Sequence, residues 1–454
     1  MIATLKRLFA FDKSVYGWAI YDWANSAFAT TVMAGFFPLF YKQYWSYGAD
    51  VNLSTAQLGL GNSLGGLIVA AMAPILGAIA DRSSAKKKFL LFFAYLGALM
   101  TAGLFLIQKG DWQLAIMAYV VGVVGFSGAN TFYDALLPDV AKKNDVDYIS
   151  GFGYALGYLG GGLLFLVNVL MTLYPQEFGL ADAAEAVRFS FLTVALWWGG
   201  FTLFMIFWVN EEAPTVQKAS KTSAIREGWQ QFVNTFRKIR YLKNTGLFLC
   251  AYWLYIDGVH TIIRMAVDYG LSLGFKDTHL IISLLLVQFV GFPASIIYAK
   301  LGQKWDVRKA IFLGILMYML ITIGGIFLSN ASHFFLLAIG IGLVQGGIQA
   351  LSRSYFTRLI PNRQSGEFFG FYNMVGKFAV IFGPLLVAGV GLLVKQILIE
   401  PGLSPEETNA ISNLASRWSI GSILILFLIG GILFSFVNEE EGKAEILKYE
   451  QNTK

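Results

Sequence analysis

The tetrapeptide Val209-Asn210-Glu211-Glu212 returns unchanged at Val437-Asn438-Glu439-Glu440, each copy directly after an apolar run that ends in Trp208 or Phe436. A repeat at this spacing is far too long for a solenoid unit and points to two fused copies of one bundle, each closing with the same exit from a membrane. Further correspondences follow in the same order. FYDALLPD (Phe132 to Asp139) answers YFTRLIPN (Tyr355 to Asn362), and a Gly-Phe start follows each, at Gly151 and Gly370. YDWANSAF (Tyr21 to Phe28) answers YIDGVHTI (Tyr255 to Ile262).

Composition names the solvent. Hydrophobic residues make up 56% of the 454 and charged residues 14%, with a mean hydropathy of +0.60, a balance that no soluble domain of this length carries. The 48 glycines fit close helix approach in lipid. The net charge of +6 is spread in short runs between apolar segments, which excludes a nucleic-acid surface and fits membrane topology. Cys250 is the single cysteine, so there is neither a disulfide framework nor a cysteine metal site. Met1 to Ser14 carries Lys6, Arg7 and Lys13, and no small-residue cleavage site follows the first apolar run; we read a retained span rather than a signal peptide.

Runs able to cross about 30 Å of hydrocarbon begin near Tyr16, Leu58, Phe89, Leu114, Tyr148, Phe189, Thr245, Leu280, Ala310, Phe334, Phe368 and Trp418. They divide six and six around a polar stretch. The expected organisation is a six-helix bundle over 1–210, a linker over 211–243, a second bundle over 244–440 and a tail over 441–454. With the N-terminus inside, the inner connections hold 25 of the 34 Lys and Arg residues and the outer ones six. Both termini are therefore expected in the cytoplasm. In the linker, Ile225, Trp229, Phe232, Phe236 and Ile239 recur at helical steps among basic residues, the pattern of an amphipathic helix on an anionic leaflet or across the bundle ends.

YDWANSAF, NTFYDALLP (Asn130 to Pro138), QALSRSYF (Gln349 to Phe356) and FFGFYNMVGK (Phe368 to Lys377) resemble the vacuole-effluxer-like branch of the major facilitator superfamily, whose bacterial members are called the unknown major facilitator family. The resemblance runs through nearly all twelve spans. It implies an all-α polytopic fold of two pseudo-symmetric six-helix bundles around a cavity lined mainly by spans 1, 4, 7 and 10, with alternating access. GAIADRSSAKKK (Gly77 to Lys88) is similar to the superfamily's loop signature between spans 2 and 3. Gly77, Asp81, Arg82 and Lys86 match this cytoplasmic gate motif, whereas Ser84 and Ala85 depart from it, and AKLGQKWDVRK from Ala299 is a degraded second copy.

Ionised groups inside a bilayer are costly and need a partner or a water-filled cavity, so the few present are the functional candidates. Asp257, His260 and Arg264 stand at steps of three and four along one face of span 7. On that face they form a polar column, or pair with neighbouring helices. Asp22, with Asn25 and Ser26 on its face, carries a proton, meets an amine, or is held ionised by Arg353. Gln345, Gln349 and Arg353 give span 10 a hydrogen-bonding stripe with a guanidinium suited to a carboxylate. Asn373 and Lys377 stand inside span 11, where Lys377 meets an anion or pairs with Asp257. Asn130 matches Arg353 in the repeat, and Tyr158 matches Lys377. Tyr133, Tyr154 and Tyr158 add hydroxyls, though aromatic residues this common are more often packing.

Enzyme signatures are lacking. GFYNMVGKF imitates a phosphate loop, but five residues separate Gly370 from Gly376 and Phe378 stands where a hydroxyl is needed. His260, His279 and His333 sit on three different runs, against a zinc site. The expectation is a monomeric secondary transporter of a small polar solute, amino acid or peptide-like, coupled to protons, without cofactor or metal, surrounded by lipid in the plasma (inner) membrane of a bacterium, with export favoured. A transport-inactive sensor or scaffold and an uncoupled facilitator stay open.

Overall fold

A computed structural model describes residues 11–48, 51–83, 85–142, 144–211, 241–273, 275–361, 364–398 and 404–452. Its described residues are helical throughout, with no strand among them. In the first half, helix α1 covers Lys13–Ala27, α2 Val51–Ser83, α3 Lys86–Leu104, α4 Trp112–Ala135, α5 Val146–Leu173 and α6 Ala183–Trp208. In the second, α7 covers Lys243–Ser272, α8 Asp277–Lys304, α9 Val307–Ile326, α10 Ala331–Thr357 and α11 Ser365–Leu398. Helix α12 runs as Pro405–Ser422 and Leu424–Ser435, and a final helix, α13, covers Glu439–Asn452. Each of the twelve apolar runs has become one of the first twelve helices, as a chain in hydrocarbon requires when every backbone polar group must be satisfied internally.

Among the described residues, nine helices are long and apolar enough to cross a membrane. Span 1 does not stay α-helical: past Ala27 it widens into π-helix over Phe28–Phe36, tightens over Phe37–Phe40 and widens again over Tyr41–Trp45. Such π stretches gather at functional sites. Helices α2 and α11 contribute apolar stretches over Leu64–Gly77 and Phe382–Leu398.

The chain divides into two compact units. One comprises Met1–Arg237 with Ile360–Met374; the other comprises Lys238–Leu359 with Val375–Lys454. Helix α11 thus starts in the first unit and continues in the second. Lipid tails give helices no hydrophobic reason to associate, so packing relies on small residues that let backbones meet. In the first unit a Cβ on Gly125 of α4 would lie 2.6 Å from the backbone of Gly97 on α3. In the second, a Cβ on Gly430 of α12 would lie 2.8 Å from the backbone nitrogen of Tyr255 on α7. The amphipathic linker helix expected between Ile225 and Ile239 lies outside the described residues.

Candidate functional site

In the first unit the polar face of α1 meets α4 and α5. Asp22 is 8% exposed; its Oδ2 accepts the Tyr133 hydroxyl at 3.2 Å and its Oδ1 the Ser26 hydroxyl at 3.4 Å. Tyr133 is itself held, its ring stacked 4.3 Å from Trp18 and its carbonyl accepting the Trp18 indole N–H at 2.8 Å. Three residues on, Asn25 donates its amide to the Asn130 side-chain carbonyl at 2.6 Å. Helix α5 reaches this face through Gly157, where a Cβ would lie 2.6 Å from Ser26 Oγ and 3.1 Å from Asp22 Oδ1. Sequence reading brought Asp22, Asn25 and Asn130 forward and undervalued Tyr133. Its adjacency to Asp134 in a polar tip of span 4 was the available signal.

In the second unit, α10 presents Gln345 and Gln349 half-buried, with Arg353 only 2% exposed. One residue before it, Ser352 shares a buried hydrogen bond of 2.7 Å with Tyr255 of α7. The column on α7 does not stay uniform: Asp257 is 1% exposed, His260 half-buried and Arg264 exposed. Asp257 turns to α11. Both its oxygens accept the Gly383 backbone N–H, at 2.9 and 3.1 Å, and Oδ1 also accepts the Thr261 hydroxyl at 3.2 Å. Lys377, expected as a partner for Asp257, has its side chain outside the described residues.

A third cluster forms in the first unit at the α2–α3 connection. Lys86 is 7% exposed and its ammonium reaches Asp139 at 3.0 Å and the Ser365 hydroxyl at 2.9 Å. Ser365 in turn donates its hydroxyl to the Ala135 carbonyl at 3.0 Å. Asn373, expected beside Lys377, donates to Asp134 at 3.1 Å and so joins this cluster. A Cβ on Gly77 would collide with the Gly366 backbone carbonyl, which accounts physically for glycine in that motif position. The side chains of Asp81 and Arg82 lie outside the described residues. Glu211 closes the connection from the far end of α6, accepting the N–H groups of Lys86 and Lys87 at 2.9 and 3.2 Å. Burial pushes the Glu211 carboxyl above its ordinary value, against the pull of those two backbone bonds.

The profile of the vacuole effluxer Atg22-like family matches residues 47–393. The chain belongs to that family. It is 39% identical over 432 residues to YxiO, an MFS-type transporter of Bacillus subtilis (strain 168), covering 95% of this chain and 96% of the relative. It is 23% identical to autophagy-related protein 22 of Eremothecium gossypii, over 96% of this chain and 93% of that one. The human organic anion transporter MFSD10 (TETRAN) superposes with a TM-score of 0.67 at 14% identity, over 93% of this chain and 99% of its own, a likeness of fold. The Atg22-like chain is therefore an integral multi-pass membrane protein with the major facilitator fold, twelve helices in two pseudo-symmetric six-helix bundles. Family and fold make it a transporter and point away from an enzyme.

Proposed function

We propose that this transporter moves a small solute bearing both an amine and a carboxylate, an amino acid or a peptide-like molecule, by alternating access coupled to protons, with export favoured. The observation that carries the reading is Asp22, a carboxylate at the heart of the first unit with two hydroxyl donors and an amide pair beside it. A carboxylate so placed meets an ammonium or takes up a proton as its desolvation changes. On the second unit, Arg353 supplies the group that reads a carboxylate, since guanidinium binds it bidentately. Gln345 and Gln349 add neutral donors and acceptors, and His260, Arg264 and Lys377 add positive charge for an acidic group.

In this reading Gly77, Asp81, Arg82 and Lys86 form the cytoplasmic gate, with both termini inside the plasma (inner) membrane and the monomer as the working unit. The packing of Lys86 against Asp139 and Ser365 supports the gate assignment.

The test is flux by the full chain in liposomes, with radiolabelled alanine, dialanine, succinate and glucose as probes, with and without a pH gradient. Accumulation of alanine or dialanine driven by the gradient is the expected result. Flux that ignores the gradient makes the protein a facilitator. Succinate or glucose as the sole moving probe removes the zwitterion assignment, and no movement of any probe favours the sensor or scaffold.

A further inference from the structure

Asp257 is buried in α7 and faces α11. Its two oxygens converge on one backbone N–H, that of Gly383 in α11, and on the hydroxyl of Thr261 one turn along its own helix. A helix-interior N–H ordinarily serves the carbonyl four residues earlier. This one stands directly before Pro384, inside α11. Proline has no N–H to give, its ring pushes against the carbonyl four residues back, and it disfavours the helical region for the residue before it. Within a continuous helix the ladder loses the rung beside Gly383, and the carboxylate accepts the Gly383 N–H. Glycine is required there for space, because a Cβ would collide with the Thr261 hydroxyl and lie 2.7 Å from Asp257 Oδ1.

We infer that Asp257, supported by Thr261, is a positioning residue that clamps the Gly383–Pro384 step of α11 and fixes the helix geometry there. Proline leaves the helix a softer step there, and the clamp gives that step one defined geometry. The clamp stands on geometry alone; its place in a transport cycle rests on the transporter reading above.

Asp257→Asn and Asp257→Ala separate the roles. Asparagine keeps an oxygen to accept the Gly383 N–H, and the Thr261 hydroxyl turns to accept from the new amide. Alanine leaves the N–H unmet. In hydrogen exchange of the purified full chain, peptides containing the Gly383 amide should exchange in Asp257→Asn as in the wild type. They should exchange about tenfold faster or more in Asp257→Ala, which alone removes the side-chain acceptor altogether. Should that variant not fold, Thr261→Val, which removes one hydroxyl, should give a smaller increase in the same peptides. Unchanged exchange in Asp257→Ala or, failing it, in Thr261→Val overturns the clamp.

Flux of alanine in liposomes supplies the second readout. A positioning role lowers the maximal rate in Asp257→Ala at unchanged KM and leaves Asp257→Asn with the wild-type pH profile. A raised KM or a lost pH dependence in Asp257→Asn, with exchange unaltered, makes Asp257 a solute or proton site and overturns the inference. Wild-type protein that moves no alanine, yet shows the expected exchange pattern, removes the transporter reading for that probe and supports the clamp.

Discussion

Glu211 and Lys87 cap each other's helices. The Glu211 carboxylate, just past the end of α6, accepts the first N–H groups of α3, those of Lys86 and Lys87. Lys87 returns its ammonium to the Ile206 and Val209 carbonyls at the end of α6, at 2.9 and 2.8 Å. The second half solves the same problem differently. Ala85 precedes α3 and offers no cap, whereas Asp306 precedes α9 and accepts the Arg308 N–H at 2.7 Å. Arg308 repeats the role of Lys87, donating to the Ser435 carbonyl. Glu439, the twin of Glu211, is thereby released to pair with Arg358 at 3.3 Å and Lys443 at 2.7 Å.

The caps should be exchangeable. Glu211→Ala should destabilise the protein by about 1 kcal/mol, the usual worth of a helix N-cap. Adding Ala85→Asp, which imports the Asp306 solution, should recover most of it. Thermal unfolding of both variants in detergent reads the effect, and a double variant no better than the single one removes the equivalence.

The same carboxyl carries a pH signature. Its folded value is raised by burial, so the fold binds a proton there more readily than the unfolded chain does. Its stabilising contribution is complete below the unfolded value and is lost as pH rises through the folded one. Relative to Glu211→Gln, which does not titrate, the wild type should lose ground between mildly acidic and neutral pH. Melting curves at matched ionic strength check the sign.

Lys86 and Asp139 form a buried pair. Lys86→Ala strands the Asp139 carboxylate and should cost about 3–5 kcal/mol. Lys86→Met with Asp139→Leu removes both charges and should recover a large part of that loss. Equal melting points for the single and double variants would show that the pair carries no coupling.

Gly77 leaves no room for a side chain. Gly77→Ala meets the Gly366 carbonyl, a backbone atom that cannot swing aside as a side-chain end can, and overpacking of this kind costs about 1–3 kcal/mol. An unchanged melting point would mean that α2 and the start of α11 separate freely.

Asp22 is the group on which the functional reading depends. Asp22→Asn should lower alanine flux about tenfold or more, since a charge-assisted hydrogen bond contributes about 1.5–3 kcal/mol. It should also flatten the response to a pH gradient, while Tyr133→Phe, which removes one donor to that carboxylate, should leave the gradient response in place. Flux in proteoliposomes, measured with both variants at equal protein density, decides.

Legibility differed by range. Asp22, Asn25 and Asn130 could be picked out because a polar residue in an apolar run is conspicuous, and the pairing of Asn25 with Asn130 joins two spans that the resemblance had already placed together. The contact of Asn373 with Asp134 could not be read, since nothing local says which neighbour a half-buried amide will meet. Gly383 went unnoticed because its chemistry resides in a backbone N–H, although the proline after it takes one hydrogen bond out of the helix.

The sequence by itself determined the solvent, the twelve helices, their division into two related halves and the residues whose charge lipid would not tolerate. These follow from composition and from hydrogen bonds closed within each span. Only the tertiary structure decided what the charges do: that Lys86 meets a serine 279 positions away, and that Asp257 grips a backbone N–H 126 positions away. Partners at such separations are selected by how each helix is rotated against its neighbours, and that rotation is settled by small-residue contacts summed over the bundle rather than by any short stretch of chain.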